Sequence, residues 1–301
     1  MDLLKSLSGW MGSPPSEMRH RTVQCAGAHG LHRMAYTEWG DPRNPRVLVC
    51  VHGLTRNGRD FDFLGAALSQ HYRVVCPDVV GRGRSEWLTV KTEYGFPQYV
   101  ADMVTLIARL DVPEVHWVGT SMGGLIGMCL ASLPGTPIKR LVLNDVGPMI
   151  TVESIERIAE YVGAAPVFAD LDSAERYIRE VSAPFGPLTD AQWRHLTEHA
   201  VSAVDGGLAM VYDPGIAEAF RKTPLVADVD LWAMYDAISC PTLVIRGAES
   251  DLLLHETAQE MSRRGPKASL IEFEGIGHAP MLLDGRQIEA VSQFLLADPG
   301  N

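Results

Sequence analysis

The run Val118-Gly119-Thr120-Ser121-Met122-Gly123-Gly124 constrains this chain more than any other segment. It follows a β-branched stretch, Val115 to Val118, and opens an apolar, helix-like stretch from Met122 to Leu133. The backbone must therefore pass from strand to helix within a residue or two. Side chains flanking the serine would clash in so tight a turn, which accounts for Gly119 and Gly123, and the serine itself is held in a strained conformation that exposes its hydroxyl. The N–H of Met122 then points to where an oxyanion would form. Small residues between a strand and a helix also serve packing alone, so the rest of the chain has to decide between the two readings.

From about residue 20 short β-branched runs alternate with longer helix-like segments, a rhythm that predicts an α/β fold with a mostly parallel central sheet flanked by helices. Strands are expected at Arg21 to Cys25, Leu31 to Glu38, Arg46 to Val51, Tyr72 to Cys76, Val115 to Val118, Arg140 to Asn144, Thr242 to Arg246 and Ser269 to Phe273. Apolar spacing predicts helices at Phe61 to Leu68, Gln98 to Leu110, Met122 to Leu133, Glu256 to Arg263 and Arg286 to Leu296. The rhythm breaks over 147–237, where Val152 to Val162, Ser173 to Val181 and Ala191 to Val201 read as helices with no strand between them. The expected organisation is a core of 20–146 and 238–301, a helical cap insertion at 147–237, and a tail or short surface helix at 1–19.

Lys and Arg total 26 against 37 Asp and Glu, a formal charge of −11 that argues against a nucleic-acid partner. The five cysteines are odd in number and mostly sit in apolar runs, as reduced core residues of a cytoplasmic protein do. The apolar residues Leu3, Leu4, Leu7, Trp10 and Met11 are interrupted by Lys5, Ser6 and Ser8, too short and polar a segment for a signal peptide or a membrane span. Oligomeric state is not legible.

A serine hydroxyl is a poor nucleophile unless a histidine accepts its proton and a carboxylate orients that histidine. His278, in Gly275-Ile276-Gly277-His278-Ala279-Pro280, follows the last strand-like run in a glycine-loosened loop and is the expected general base. The favoured acid is Asp251, beyond the strand Thr242 to Arg246; the rival is Asp145, directly after the preceding strand. The loop after Val51-His52-Gly53 offers the N–H of Leu54 as a second oxyanion donor, with His52 as a structural hydrogen-bonding group. Expected substrate contacts are Arg56, either paired with Asp60 or Asp62 or meeting a substrate carboxylate, and Met149, Tyr161, Phe168 and Trp232 in the cap. His195-Leu196-Thr197-Glu198-His199 matches a zinc-protease pattern, but it lies in the cap without an evident distal ligand and reads as a polar helix face, so no metal is expected.

Taken together, Val51-His52-Gly53, the segment Asp78 to Ser85, Gly119 to Gly124, Asp251 and Gly277-His278 resemble the capped α/β-hydrolase superfamily in order and spacing, over nearly the whole chain after residue 20. The resemblance implies a cofactor-free hydrolase of esters or related acyl bonds, with the cap roofing the pocket and the Asp78 to Ser85 segment as a structural loop beside it; a substrate carboxylate at Arg56 would suit a hydrolase of short hydroxyacid oligoesters. Relatives with a carboxylate nucleophile place Asp where this chain has Ser121, and carbon–carbon bond hydrolases often have Asn where it has Thr120. A carbon–carbon hydrolase, a perhydrolase and a non-catalytic receptor on the same scaffold remain the alternatives.

Overall fold

The computed structural model describes residues 18–218 and 227–298. In chain order its strands are β1 (Arg19–Gly27), β2 (Gly30–Trp39), β3 (Val47–Val51), β4 (Arg73–Pro77), β5 (Val115–Thr120) and β6 (Ile138–Asn144); then the short β7 (Met149–Ile150), β8 (Val167–Phe168), β9 (Val201–Val204), β10 (Gly207–Met210) and β11 (Val229–Asp230); and finally β12 (Thr242–Gly247) and β13 (Ser269–Phe273). The eight core strands form one sheet in the order β1-β2-β4-β3-β5-β6-β12-β13. From β4 to β13 the pairings are parallel, while β1 and β2 attach as an antiparallel hairpin. Every residue of β3 and β12 is buried, as strands covered on both faces require, whereas β1 at the edge buries only Val23 and Cys25.

All eight predicted core strands are present. The helices on the sheet are α1 (Asp62–Leu68), α2 (Phe96–Leu110) and α3 (Met122–Ala131), then, after the cap helices α4 (Val152–Tyr161), α5 (Leu171–Val181) and α6 (Asp190–Ala200), α7 (Trp232–Asp236), α8 (His255–Met261) and α9 (Gly285–Leu296). No described helix is long and apolar enough to cross a membrane. The predicted N-terminal tail or helix falls almost wholly on residues outside those described.

The insertion differs from the expected all-helical cap. It carries a three-stranded antiparallel sheet, β8-β10-β9, and a two-stranded ribbon, β7 with β11. Strands of two to four residues are too short for apolar alternation to show. One signal was legible: β9 and β10 flank Asp205-Gly206, and Asp-Gly between two strands marks a hairpin whose turn needs a left-handed residue, here Gly206 at φ +89. Separate apolar clusters fill the two faces of the main sheet, and a third, around Phe168, Ile178, Trp193 and Leu196, forms the core of the cap.

Candidate active site

Register alignment brings the carboxyl ends of three neighbouring strands to one point. Val51 of β3 lies opposite Gly119 of β5, and Thr120 lies opposite Asn144 of β6. The residues just past these ends are His52-Gly53-Leu54, Ser121 and Asp145, at a sheet edge where open α/β folds commonly bind ligands. Ser121 has φ 50, a left-handed conformation that costs a non-glycine residue of order 1–3 kcal/mol and is characteristic of functional turns. The turn closes only because its neighbours lack side chains. A Cβ on Gly119 would stand 2.2 Å from the Gly123 carbonyl oxygen, and one on Gly123 would stand 2.0 Å from that of Val51.

The Ser121 hydroxyl meets His278 Nε2 at 3.0 Å, and on the ring's other side Nδ1–H donates to Asp145 Oδ2 at 2.6 Å. Asp145 also has a left-handed backbone, at φ 54, and its carboxylate is fully buried. It accepts from the N–H of Gly247 at 2.9 Å and from the Ser250 hydroxyl at 2.6 Å. Three donors thus hold its two oxygens in place. Asn144, next to it, donates to Thr120 Oγ1 and to the Pro280 carbonyl, bracing the serine turn against the histidine loop.

The expected acid, Asp251, is not in this chain of bonds. It pairs with Arg157 of α4 and stays more than half exposed. The correction has a simple geometric cause. Strands β6 and β12 are parallel neighbours with Asn144 opposite Ile245, so acids following either strand emerge at the same edge, and only Asp145 lies tight against the strand end. Asp251 comes four residues beyond Gly247, far enough to swing out toward the cap. Ser250 and Asn144, which hold the acid and the histidine loop, were missed by the sequence reading.

Leu54 and Met122, the expected oxyanion donors, both line a cavity with Ser121. The carbonyl of Leu54 accepts from Arg82 Nε at 2.8 Å, and this fully buried guanidinium also donates to the Val80 carbonyl and to Tyr99. Arg82 therefore fixes the loop that carries Leu54. His52 is buried, donates from Nδ1 to the Gly53 carbonyl and accepts the Val79 N–H at Nε2; burial pushes its pKa down to about 4, so it stays neutral in the loop.

Two cavities meet at Ser121. One, of about 370 Å³, is walled by Leu54, Tyr99, Met122 and Leu125 from the core and roofed by Val152, Ile155 and Ile158 of α4. The other, of about 350 Å³, holds Arg56, Arg157, Tyr161, Asp251 and His278. Of the expected cap contacts, only Tyr161 lines either of these two cavities. Phe168 is buried in the cap core with its ring 5.3 Å from Tyr177, Trp232 packs on Tyr235 beneath the Arg264 guanidinium, and Met149 lies in β7 opposite Asp230. Large apolar residues in a cap bury one another first, and the roof falls instead to residues spaced three apart along one face of α4. Arg56 does form the pairing foreseen for it: Nε and Nη2 donate to Asp60 at 2.9 and 2.6 Å.

The zinc-like histidines have a partner after all. His195 and His199 on α6 approach Asp62 of α1, and such a trio is spaced closely enough to hold an ion. Arg59 already donates to both Asp62 oxygens, and His195 Nε2–H donates to the Arg59 carbonyl, so the group is a satisfied contact between cap and core.

Residues 48–291 match the alpha/beta hydrolase family. The chain is 54% identical over 280 residues to a 3-hydroxybutyrate-oligomer hydrolase from Cupriavidus necator, covering 90% of this chain and 96% of that protein. It is 26% identical over 235 residues to a 2-(acetamidomethylene)succinate hydrolase from Mesorhizobium japonicum, with 77% and 81% covered. Among solved structures, an alpha/beta hydrolase from Novosphingobium aromaticivorans superposes with a TM-score of 0.83 at 36% identity, covering 94% of this chain and 99% of its own. With the family matched over most of its length and the strand order and serine turn in place, this chain belongs to the alpha/beta hydrolase family.

Proposed function

We propose that the chain is a serine esterase that cleaves short oligoesters of hydroxyacids through an acyl-enzyme, with Ser121 as nucleophile, His278 as base and Asp145 as the orienting acid. The observation that carries this reading is His278 spanning Ser121 and Asp145 at 3.0 and 2.6 Å. The substrate class is supported by the 3-hydroxybutyrate-oligomer hydrolase to which the chain is 54% identical.

In the first half-reaction Ser121 Oγ bonds to the ester carbonyl carbon while its proton passes to His278 Nε2. Asp145 holds the tautomer that leaves Nε2 free to accept, and it stabilises the imidazolium that results. The N–H groups of Met122 and Leu54 face the developing oxyanion, each such donor being worth on the order of 3 kcal/mol in the transition state. Collapse breaks the ester C–O bond, and His278 returns the proton to the leaving alkoxide. Water then enters and gives a proton to His278 as its oxygen bonds to the acyl carbon; the acyl–Oγ bond breaks, His278 returns the proton to Ser121 Oγ, and the acid leaves. Five free cysteines, four of them buried, support a cytoplasmic setting.

Assay on the linear dimer and trimer of 3-hydroxybutyrate is the direct test. Monomer should appear at enzymatic rates, and failure to cleave these together with short p-nitrophenyl esters would refute the reading. Cap contacts divide in the same assay. Ile155→Ala, in the roof of the apolar cavity, should shift the preference among acyl chain lengths severalfold. Phe168→Leu, in the cap core, should lower the melting temperature and leave that preference unmoved.

A further inference from the structure

The two cavities at Ser121 differ in kind. Among described residues, the first has Glu156 as the one charged group in its lining, and His278 is absent from it. The second is lined by both His278 and Arg56. This asymmetry assigns the two halves of an ester. The proton that His278 takes from Ser121 must be handed to the leaving oxygen, so the leaving alcohol extends into the cavity that His278 lines. The acyl group then occupies the apolar cavity.

For an oligoester of 3-hydroxyacids, the leaving alcohol is the unit nearer the carboxyl end. At the last bond that unit bears a free carboxylate, three covalent bonds and roughly 4 Å from the ester oxygen. Arg56 lines the same cavity as Ser121 and His278. Its Cγ and the Cβ of Ser121 both lie 3.8 Å from the point where a side chain on Gly53 would begin. Asp60 grips one edge of the guanidinium fork through Nε and Nη2, and the Phe185 ring lies 5.8 Å away, so the group is held in one orientation while its Nη1 edge has donors left for a second carboxylate.

Two other features fit. Asp60 pairs with Arg56, which removes the cost of burying a lone cation. Arg157, the cavity's other guanidinium, is 37% exposed and paired with Asp251, whereas Arg56 is 13% exposed, and a hydrogen bond to a carboxylate is stronger where water is excluded.

The geometry points to a carboxylate subsite in the second cavity, built on Arg56, that takes the leaving hydroxyacid by its free carboxyl group and releases oligoesters one unit at a time from the carboxyl end. This rests on the proposed esterase reading and deepens it. The chemistry stays that of hydrolysis: the terminal ester C–O bond breaks, Ser121 keeps the shortened acyl chain until water removes it, and the freed hydroxyacid carries the proton from His278.

The test is a 3-hydroxybutyrate trimer isotopically labelled in its carboxyl-terminal unit, followed over the first turnover by mass spectrometry. Labelled monomer with unlabelled dimer is expected; unlabelled monomer, or an equal mixture, would overturn the subsite. A second measurement compares the dimer with its methyl ester. Wild type should favour the free acid by roughly tenfold in kcat/KM, a scale suited to one charge-assisted fork. Arg56→Gln should bring that ratio close to one through a higher KM for the acid, and a ratio unmoved by the substitution would also overturn the proposal. If no oligoester is cut, capped or free, the substrate reading itself fails, which is a different result from cleavage without end preference.

Discussion

Ser121→Ala is expected to abolish labelling by a fluorophosphonate and to lower kcat on any accepted ester by about 10⁴-fold or more, the scale on which triad members act. The hydroxyl's partner is His278, and alanine imposes no greater backbone restriction than serine at φ 50, so the melting temperature should stay within a few degrees. His278→Ala should be comparably inactive, and the double variant scarcely worse than either, because neither group works without the other. Turnover near wild type in Ser121→Ala would remove the nucleophile from the mechanism. Residual activity that merely reflects a pre-bound transition state should be insensitive to the second substitution.

Asp145→Asn should cost about 10³- to 10⁴-fold in kcat, against a few-fold at most for Asp251→Asn. An asparagine amide has one acceptor oxygen where the carboxylate has two, yet three donors converge here: His278 Nδ1–H, the Gly247 N–H and the Ser250 hydroxyl. Whichever way the amide turns, a donor is orphaned or the histidine is pushed into the tautomer that cannot take the serine proton. Asp251→Asn loosens only a half-exposed pairing with Arg157, and exposed pairs contribute about 0–1 kcal/mol. Kinetics on both variants with one ester decides the matter, and the reverse order of losses would make Asp251 the acid.

The core was readable because its central strands, such as β3 and β12, are buried β-branched runs and helices such as α2 and α9 carry an apolar stripe, and these patterns depend on local sequence alone. Ser121 and His278, the proposed nucleophile and base, were readable as candidates for a related reason: Gly119 and Gly123 mark a turn that few other structures need, and Gly275 and Gly277 mark a loop after the last strand. The acid was not, since choosing between Asp145 and Asp251 requires knowing how β6 and β12 are staggered, and both lie within a loop's reach of the same histidine. Cap contacts failed more broadly. Size and hydrophobicity singled out Phe168 and Trp232 as pocket contacts, but Phe168 packs in the cap's own core and the half-buried Trp232 packs against the main core. Only the three-dimensional path of α4 distinguishes Ile155, over the cavity, from Phe168, behind it.

One ten-residue helix, α4, covers both sides of the nucleophile. Val152, Ile155, Glu156 and Ala159 line the first cavity, Arg157, Glu160 and Tyr161 the second, and Ile158 touches both. Successive residues of a helix are about 100° apart, so inserting or deleting a single residue ahead of α4 would rotate the whole set and trade aliphatic for ionic side chains above Ser121. Length is therefore frozen where composition is free. A lineage can retune what the enzyme accepts by exchanging letters along this helix, one cavity at a time, while a frameshift of its phase would scramble both selectivities at once and leave the triad beneath intact with nothing suitable to cut.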